Sequence, residues 1–188
     1  YQATDPELFQ GGVSNIPESE IYGAEVELST YLTDSMILDA NLSWIETEIT
    51  ADHFALDNVQ SDIATNALLA QGVNQFSDQV QIARAAEITN VKGNELAKTP
   101  NFTANLALTW EGYVENWGEL SNSLQYIYRG DFKHRMFNNP LTDMVPDYEV
   151  LDFVLGFTPQ SNNDLRFEFV AKNPVSYTHL TLPTTPYV

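Results

Sequence analysis

Residues 19–30 read Ser-Glu-Ile-Tyr-Gly-Ala-Glu-Val-Glu-Leu-Ser-Thr, and the alternation in this stretch decides the fold. Side chains on a strand point alternately to opposite faces. Tyr22, Ala24, Val26 and Leu28 therefore share one face, while Gly23, Glu25, Glu27 and Ser29 share the other. The wet face is as orderly as the apolar one. Further along, Phe102, Ala104, Leu106, Leu108 and Trp110 oppose Asn101, Thr103, Asn105, Ala107 and Thr109. Leu120, Leu124, Tyr126 and Tyr128 likewise oppose Ser121, Ser123, Gln125 and Arg129. A wall of such strands meets an apolar medium on one side and water on the other, which is the pattern of a transmembrane β-barrel.

A soluble sandwich alternates as well, so strand length, strand ends and connections carry the distinction. Crossing the hydrocarbon core takes roughly 9 to 11 tilted residues, and several of these segments are that long. Trp44, Trp110, Tyr113, Trp117, Tyr126 and Tyr128 sit near the ends of apolar faces. A ring that carries one polar group favours the membrane–water interface. Leu38, Ala40, Leu42 and Trp44 are followed on the same parity by Glu46 and Glu48, carboxylates that belong above the bilayer.

Six strands are expected, over 19–30, 36–50, 101–113, 120–129, 148–158 and 165–172. Their connections read short, long, short, medium, short, as when tight periplasmic turns alternate with extracellular loops. In the long connection, about 51–100, strand alternation disappears. Leu56, Val59, Ile63 and Ala67 recur there at helical spacing, and a second helical stretch holds Phe76, Val80, Ala83 and Arg84. Such an apolar stripe is expected to pack against something. The fold class is all-β, an antiparallel up-and-down meander with one long helix-bearing loop.

The chain has 188 residues, with 26 acidic and 8 basic side chains giving a formal charge of −18. Phosphate contacts need clustered Lys and Arg, so no nucleic-acid partner is expected. The absence of cysteine excludes disulfides, thiolate metal sites and a cysteine nucleophile. No apolar run is long enough for a membrane helix, which leaves a closed barrel as the way to span. Tyr1 stands where Met would open a complete protein, so the chain is expected to be an internal piece of a longer one. Val175–Thr184, VSYTHLTLPT, resembles the translated read-through of a sequencing-library adapter. Residues 175–188 are accordingly set apart as a non-native tail, leaving 1–174 for the fold.

Chemistry-bearing motifs are few. There is no nucleophile elbow, phosphate loop or zinc-binding helix, and the reading is of a protein that is not an enzyme. His53 and His134 lack partner ligands at a regular spacing, so no metal and no cofactor is assigned. Arg129, Lys133, His134 and Arg135 form a basic cluster suited to an anionic ligand or a lipopolysaccharide phosphate. A solvated loop is the plainer account of the same residues.

Several runs resemble one family in their order and spacing. They are Ile21-Tyr22-Gly23-Ala24-Glu25-Val26-Glu27, Leu38-Asp39-Ala40-Asn41-Leu42, and Gly93-Asn94-Glu95-Leu96-Ala97-Lys98-Thr99-Pro100. Tyr128-Arg129-Gly130-Asp131-Phe132 and Phe169-Val170-Ala171-Lys172-Asn173 complete the set. From Gly12 to Asn173 the chain resembles the C-terminal part of the 22-stranded barrel of TonB-dependent outer-membrane receptors. The resemblance implies a Gram-negative outer membrane, with lipid and lipopolysaccharide around the barrel. It further implies import of a scarce nutrient such as a siderophore, cobalamin or an oligosaccharide, driven by the TonB complex acting on a plug region upstream. Glu25, Glu27, Asp39, Asn41, Asn105 and Gln125 would then face the lumen and meet plug or cargo, although solvation of a polar wall accounts for each taken singly. The alternative is a soluble or surface β-sandwich serving as a binding or structural module. It requires Tyr22, Val26, Leu106, Leu108, Phe153, Leu155, Phe167 and Phe169 to face a second sheet.

Overall fold

The computed structural model describes residues 2–4, 11–13, 15–162 and 164–173. In chain order these form β1 (Gln2–Thr4), β2 (Gly11–Val13), β3 (Ser19–Thr33), β4 (Met36–Ile49), β5 (Phe54–Leu56), α1 (Asn58–Ala70) and α2 (Asp78–Ala86). There follow β6 (Ile88–Asn90), β7 (Phe102–Val114), β8 (Gly118–Arg129), β9 (Phe132–Lys133), β10 (Met144–Val145), β11 (Tyr148–Pro159) and β12 (Phe167–Lys172). The tail at 175–188 lies outside the described residues. All six long strands expected from the alternation are present, in one sheet of order β12-β11-β8-β7-β4-β3. Each strand neighbours its predecessor in that series, which makes the sheet an up-and-down meander.

Register converts the alternation into two continuous faces. On the apolar side the cross-strand rows are Leu106–Tyr126–Leu151, Leu108–Leu124–Phe153–Ala171 and Trp110–Asn122–Leu155–Phe169. The wet side carries Ala107–Gln125–Asp152–Lys172 and Glu111–Ser121–Gly156–Glu168. Two departures stand out: Asn122 interrupts the apolar side, and Val154 pairs with Val170 on the wet side. The strands β7, β8 and β11 run 13, 12 and 12 residues, long enough to cross a bilayer. Of the eight residues that a sandwich needs packed on a second sheet, none is buried, and Phe169 is 61% exposed. The sandwich reading is thereby overturned.

Two glycines shape this sheet. Asn116 (φ 66°) and Gly118 (φ 142°) close the β7–β8 turn in backbone regions that side chains disfavour. A Cβ on Gly118 would also strike the Thr158 carbonyl. At Gly112 the missing Cβ is replaced by the Trp110 ring, which lies across the position on the same face.

The chain divides into two compact units. The sheet unit comprises Glu25–Ser43, Phe102–Gly130 and Asp147 onward. The loop unit comprises the chain up to Ala24, Trp44–Asn101 and Asp131–Pro146. In the loop unit Ile49, Ala55, Val91 and Met136 make a buried core, with Ile16, Leu96 and Phe137 packed on it. A small sheet of order β2-β1-β5-β6 and the pair β9–β10 belong to it. The alternation of β4 anticipates this core: Asp39, Asn41 and Ser43 occupy the parity that passes to Ile45, Thr47 and Ile49. Thr47 is buried and its Oγ1 accepts a hydrogen bond from the Leu96 N–H at 2.9 Å.

Two expectations for the long connection are corrected. It is not free of strands, since Phe54–Leu56 pairs with Ile88–Asn90, and Thr4 pairs with Leu56. Three-residue strands are too short for alternation to register, and their partners are remote in sequence. Both helices do form, and in the second Val80 is fully buried, but the apolar stripe expected on the first does not pack: Val59, Ile63 and Ala67 are exposed. Only Leu56 of that set is buried, and it belongs to β5. The buried positions of α1 are Ser61 and Thr65, because the helix is oriented at its first turn by Asp57 rather than by its weakly amphipathic surface.

Candidate functional site

On the wet face of the sheet unit a cleft of about 340 Å³ lies among Glu25, Glu27, Asn41, Asn105, Arg129 and Tyr148. That is within the size range of small-molecule sites. Parity places them: β3 supplies the two carboxylates, β4 and β7 the amides, β8 the guanidinium and β11 the phenol. Thr103, Arg129 and Tyr148 stand in one row. The Arg129 Cζ lies 4.3 Å from the centroid of the Tyr148 ring, a cation–π geometry. Asn105 Oδ1 accepts a hydrogen bond from Gln125 Nε2 at 3.0 Å. The cleft thus brings together carboxylates from β3, a guanidinium from β8 and amides between them, all of them hydrogen-bonding groups. Among the described residues no group of three His, Asp or Glu side chains could hold a metal.

Of the six residues expected on the wet face, four line this cleft and Gln125 is tied to it through Asn105. Asp39 is engaged elsewhere, accepting from Ser29 Oγ at 2.6 Å. Tyr148, Thr103 and Ser43, which also line the cleft, were not singled out by sequence. The position of Tyr148 directly across from Arg129 is a consequence of register, and register needs the paired strands.

Arg129 belongs to the sheet unit, whereas Lys133, His134 and Arg135 belong to the loop unit. Arg135 turns inward. Its Nη1 lies 2.6 Å from Asp57 Oδ1, its Nε donates to Asp143 Oδ1 at 2.7 Å, and its Nη2 donates to Thr142 Oγ1 at 3.1 Å. Asp143 is fully buried and Asp57 nearly so. Asp57 also caps α1, accepting from the N–H groups of Val59 and Gln60 at 3.0 and 3.3 Å. Burial works to lower the Arg135 pKa, but hydrogen bonds and charge from Asp57 and Asp143 overcome it and hold the guanidinium above its usual value. His134 directs Nδ1 to the Asp143 carbonyl at 3.1 Å, and Lys133 reaches Met144 Sδ at 3.3 Å. Neither the capping role of Asp57 nor the partner role of Asp143 was singled out by the sequence.

At the edge of the apolar face, tyrosine hydroxyls meet carboxylates. Tyr126 donates to Glu149 at 2.8 Å in the sheet unit. In the loop unit Tyr22 donates to Glu46 at 2.7 Å and packs edge-on against Trp44, ring centroids 6.0 Å apart. Such rings with one satisfied polar group mark an interface between apolar and wet surroundings.

Comparison with known proteins adds two observations. The profile of the family described as TonB dependent receptor-like, β-barrel, matches residues 1–173. The crystal structure of the ferric yersiniabactin uptake receptor FyuA from Yersinia pestis is similar over 83% of this chain, with a TM-score of 0.54 and 14% sequence identity. The chain spans 18% of that receptor's length. No curated protein sequence matches the chain significantly.

Proposed function

Because this chain belongs to the TonB-dependent receptor-like β-barrel family, we propose that it supplies part of the wall and loops of a receptor importing a scarce nutrient across the outer membrane. It is a segment of an outer-membrane β-barrel. The supporting observation is the row structure of β7, β8, β11 and β12, in which an unburied apolar face backs directly onto a polar one. Water would tolerate that apolar face poorly, whereas lipid accepts it. Among the described residues β3 and β12 are the edges of this sheet, where neighbouring strands of a whole barrel would pair.

In this reading the connections 51–100 and 130–146 are extracellular, and energy reaches the receptor through TonB acting on its plug region. Cargo comes from the siderophore, cobalamin or oligosaccharide classes. Glu25, Glu27, Asn41 and Asn105 form the wet wall that it passes, and Lys133 and His134 are the loop residues that meet it. Lipid and lipopolysaccharide surround the wall.

The test uses the intact receptor that contains this chain, expressed in Gram-negative cells with and without TonB. Labelled ferric siderophores, cobalamin and malto-oligosaccharides are offered in turn. One of them should accumulate in the TonB-containing cells and stop on addition of an uncoupler. Accumulation that is indifferent to TonB and to the uncoupler would refute the proposal.

A further inference from the structure

The loop unit is assembled from three stretches that are far apart in sequence. Backbone bonds join them in pairs: Thr50 N–H to the Glu18 carbonyl at 3.2 Å, and Lys98 N–H to the Lys133 carbonyl at 2.7 Å. Strand pairing of Thr4 with Leu56 adds a third link. Side-chain amides add two more, from Asn94 Nδ2 to the Met136 carbonyl at 2.8 Å and from Asn138 Nδ2 to the Glu95 carbonyl at 3.0 Å. The core itself is shared, since Ile16, Val91 and Met136 come from the three different stretches. At the centre of the polar contacts stands Arg135, bonded to a carboxylate 78 residues away and to another 8 residues away.

We infer that these three stretches, the described residues of 2–18 with 50–101 and 131–146, open and close only as one body, with the Arg135 guanidinium as the latch between Asp57 and Asp143. The physical reason is the cost of partial opening. Pulling the 131–146 stretch away alone would carry Arg135 and Asp143 off together and leave the buried Asp57 without its counter-charge, and an unpaired buried charge is far more costly than a broken surface contact. Melting α1 alone would remove Asp57 from the same guanidinium. Long connections of a barrel ordinarily open at little cost; here each is tied to the others. A cargo molecule that displaces one stretch must therefore displace all three. The inference rests on contacts inside the loop unit and is independent of cargo and of energy coupling.

Asp57→Asn in the intact receptor separates latch from cap. Asparagine caps a helix as well as aspartate does, so α1 keeps its first turn while the ion pair is lost. Hydrogen exchange followed by mass spectrometry should show residues 132–145 exchanging about 10-fold faster or more, together with residues 58–64. Peptides from 104–112 and 121–127 should be unchanged. A change confined to residues 57–62 would overturn the inference. Should the variant fail to assemble, judged by loss of its heat-sensitive migration on gels, the unsubstituted receptor gives the answer. At raised pH, where exchange reports opening directly, peptides from the three stretches should share one opening rate. Three distinct rates would overturn it equally.

Discussion

In the loop unit Ile49 and Met136 are wholly screened from solvent by other side chains, whereas in the sheet unit Phe167 and Phe169 leave more than half of their surface open. Both units are rich in apolar residues, and both contain long-range pairings. What differs is where the apolar surface goes. The loop unit turns part of it inward against Ala55 and Val91, although Phe76 and Leu141 stay exposed, and that core can be stabilised by its own packing. The sheet unit has nothing of that kind on its apolar rows, so its stability depends on an apolar medium supplied from outside. The comparison teaches that the exposure of a continuous apolar row in a barrel wall measures its need for lipid, whereas the loop unit carries a buried core of its own.

The sharpest way to break the comparison is at Arg135. Replacing it with alanine leaves two buried carboxylates without a counter-charge, and the loop unit should lose about 3–5 kcal/mol. Protease susceptibility of residues 51–100 and 131–146 in the intact receptor should rise steeply while the sheet remains folded. If both units lose protection together, their stabilities are not separable and the comparison fails.

A smaller effect is expected on the sheet, and it should depend on face alone. Leu124 lies in the middle apolar row and Ser123 is its neighbour on the wet face. Leu124→Arg should cost about 2–4 kcal/mol in urea titrations of the receptor folded into vesicles, the penalty for arginine at the lipid midplane. Ser123→Arg should cost almost nothing. Equal costs would mean that the rows do not face lipid.

The smallest effect probes the wet wall. Gln125→Ala removes the hydrogen bond to Asn105 and should destabilise the sheet by about 1 kcal/mol. The same titration resolves it, and a loss as large as that of Leu124→Arg would show that the wet face is packed rather than solvated.

Legibility in the sequence followed the length of the pattern. Strands of 12 to 15 residues gave alternation enough to place their ends within a few positions and to sort Leu106, Leu108 and Leu124 from Asn105 and Gln125. Helices α1 and α2 were also legible from spacing. The packing of α2 was legible at Val80, but that of α1 was not, because α1 buries Ser61 and Thr65 while leaving Val59 and Ile63 exposed. The partners within the basic cluster were not legible for a related reason. Nearness in sequence put Arg129 and Arg135 together, yet one lies over Tyr148 and the other between two aspartates.

The sequence by itself determined the meander, its two faces, its long and short connections and the family it resembles, because a period of two is a local property repeated over many residues. Tertiary structure alone decided that Asp57, Arg135 and Asp143 meet, that Tyr148 stands across from Arg129, and that three separate stretches share one core. Those outcomes depend on pairings between positions up to 78 residues apart, and no local pattern encodes which distant carboxylate a buried guanidinium will find.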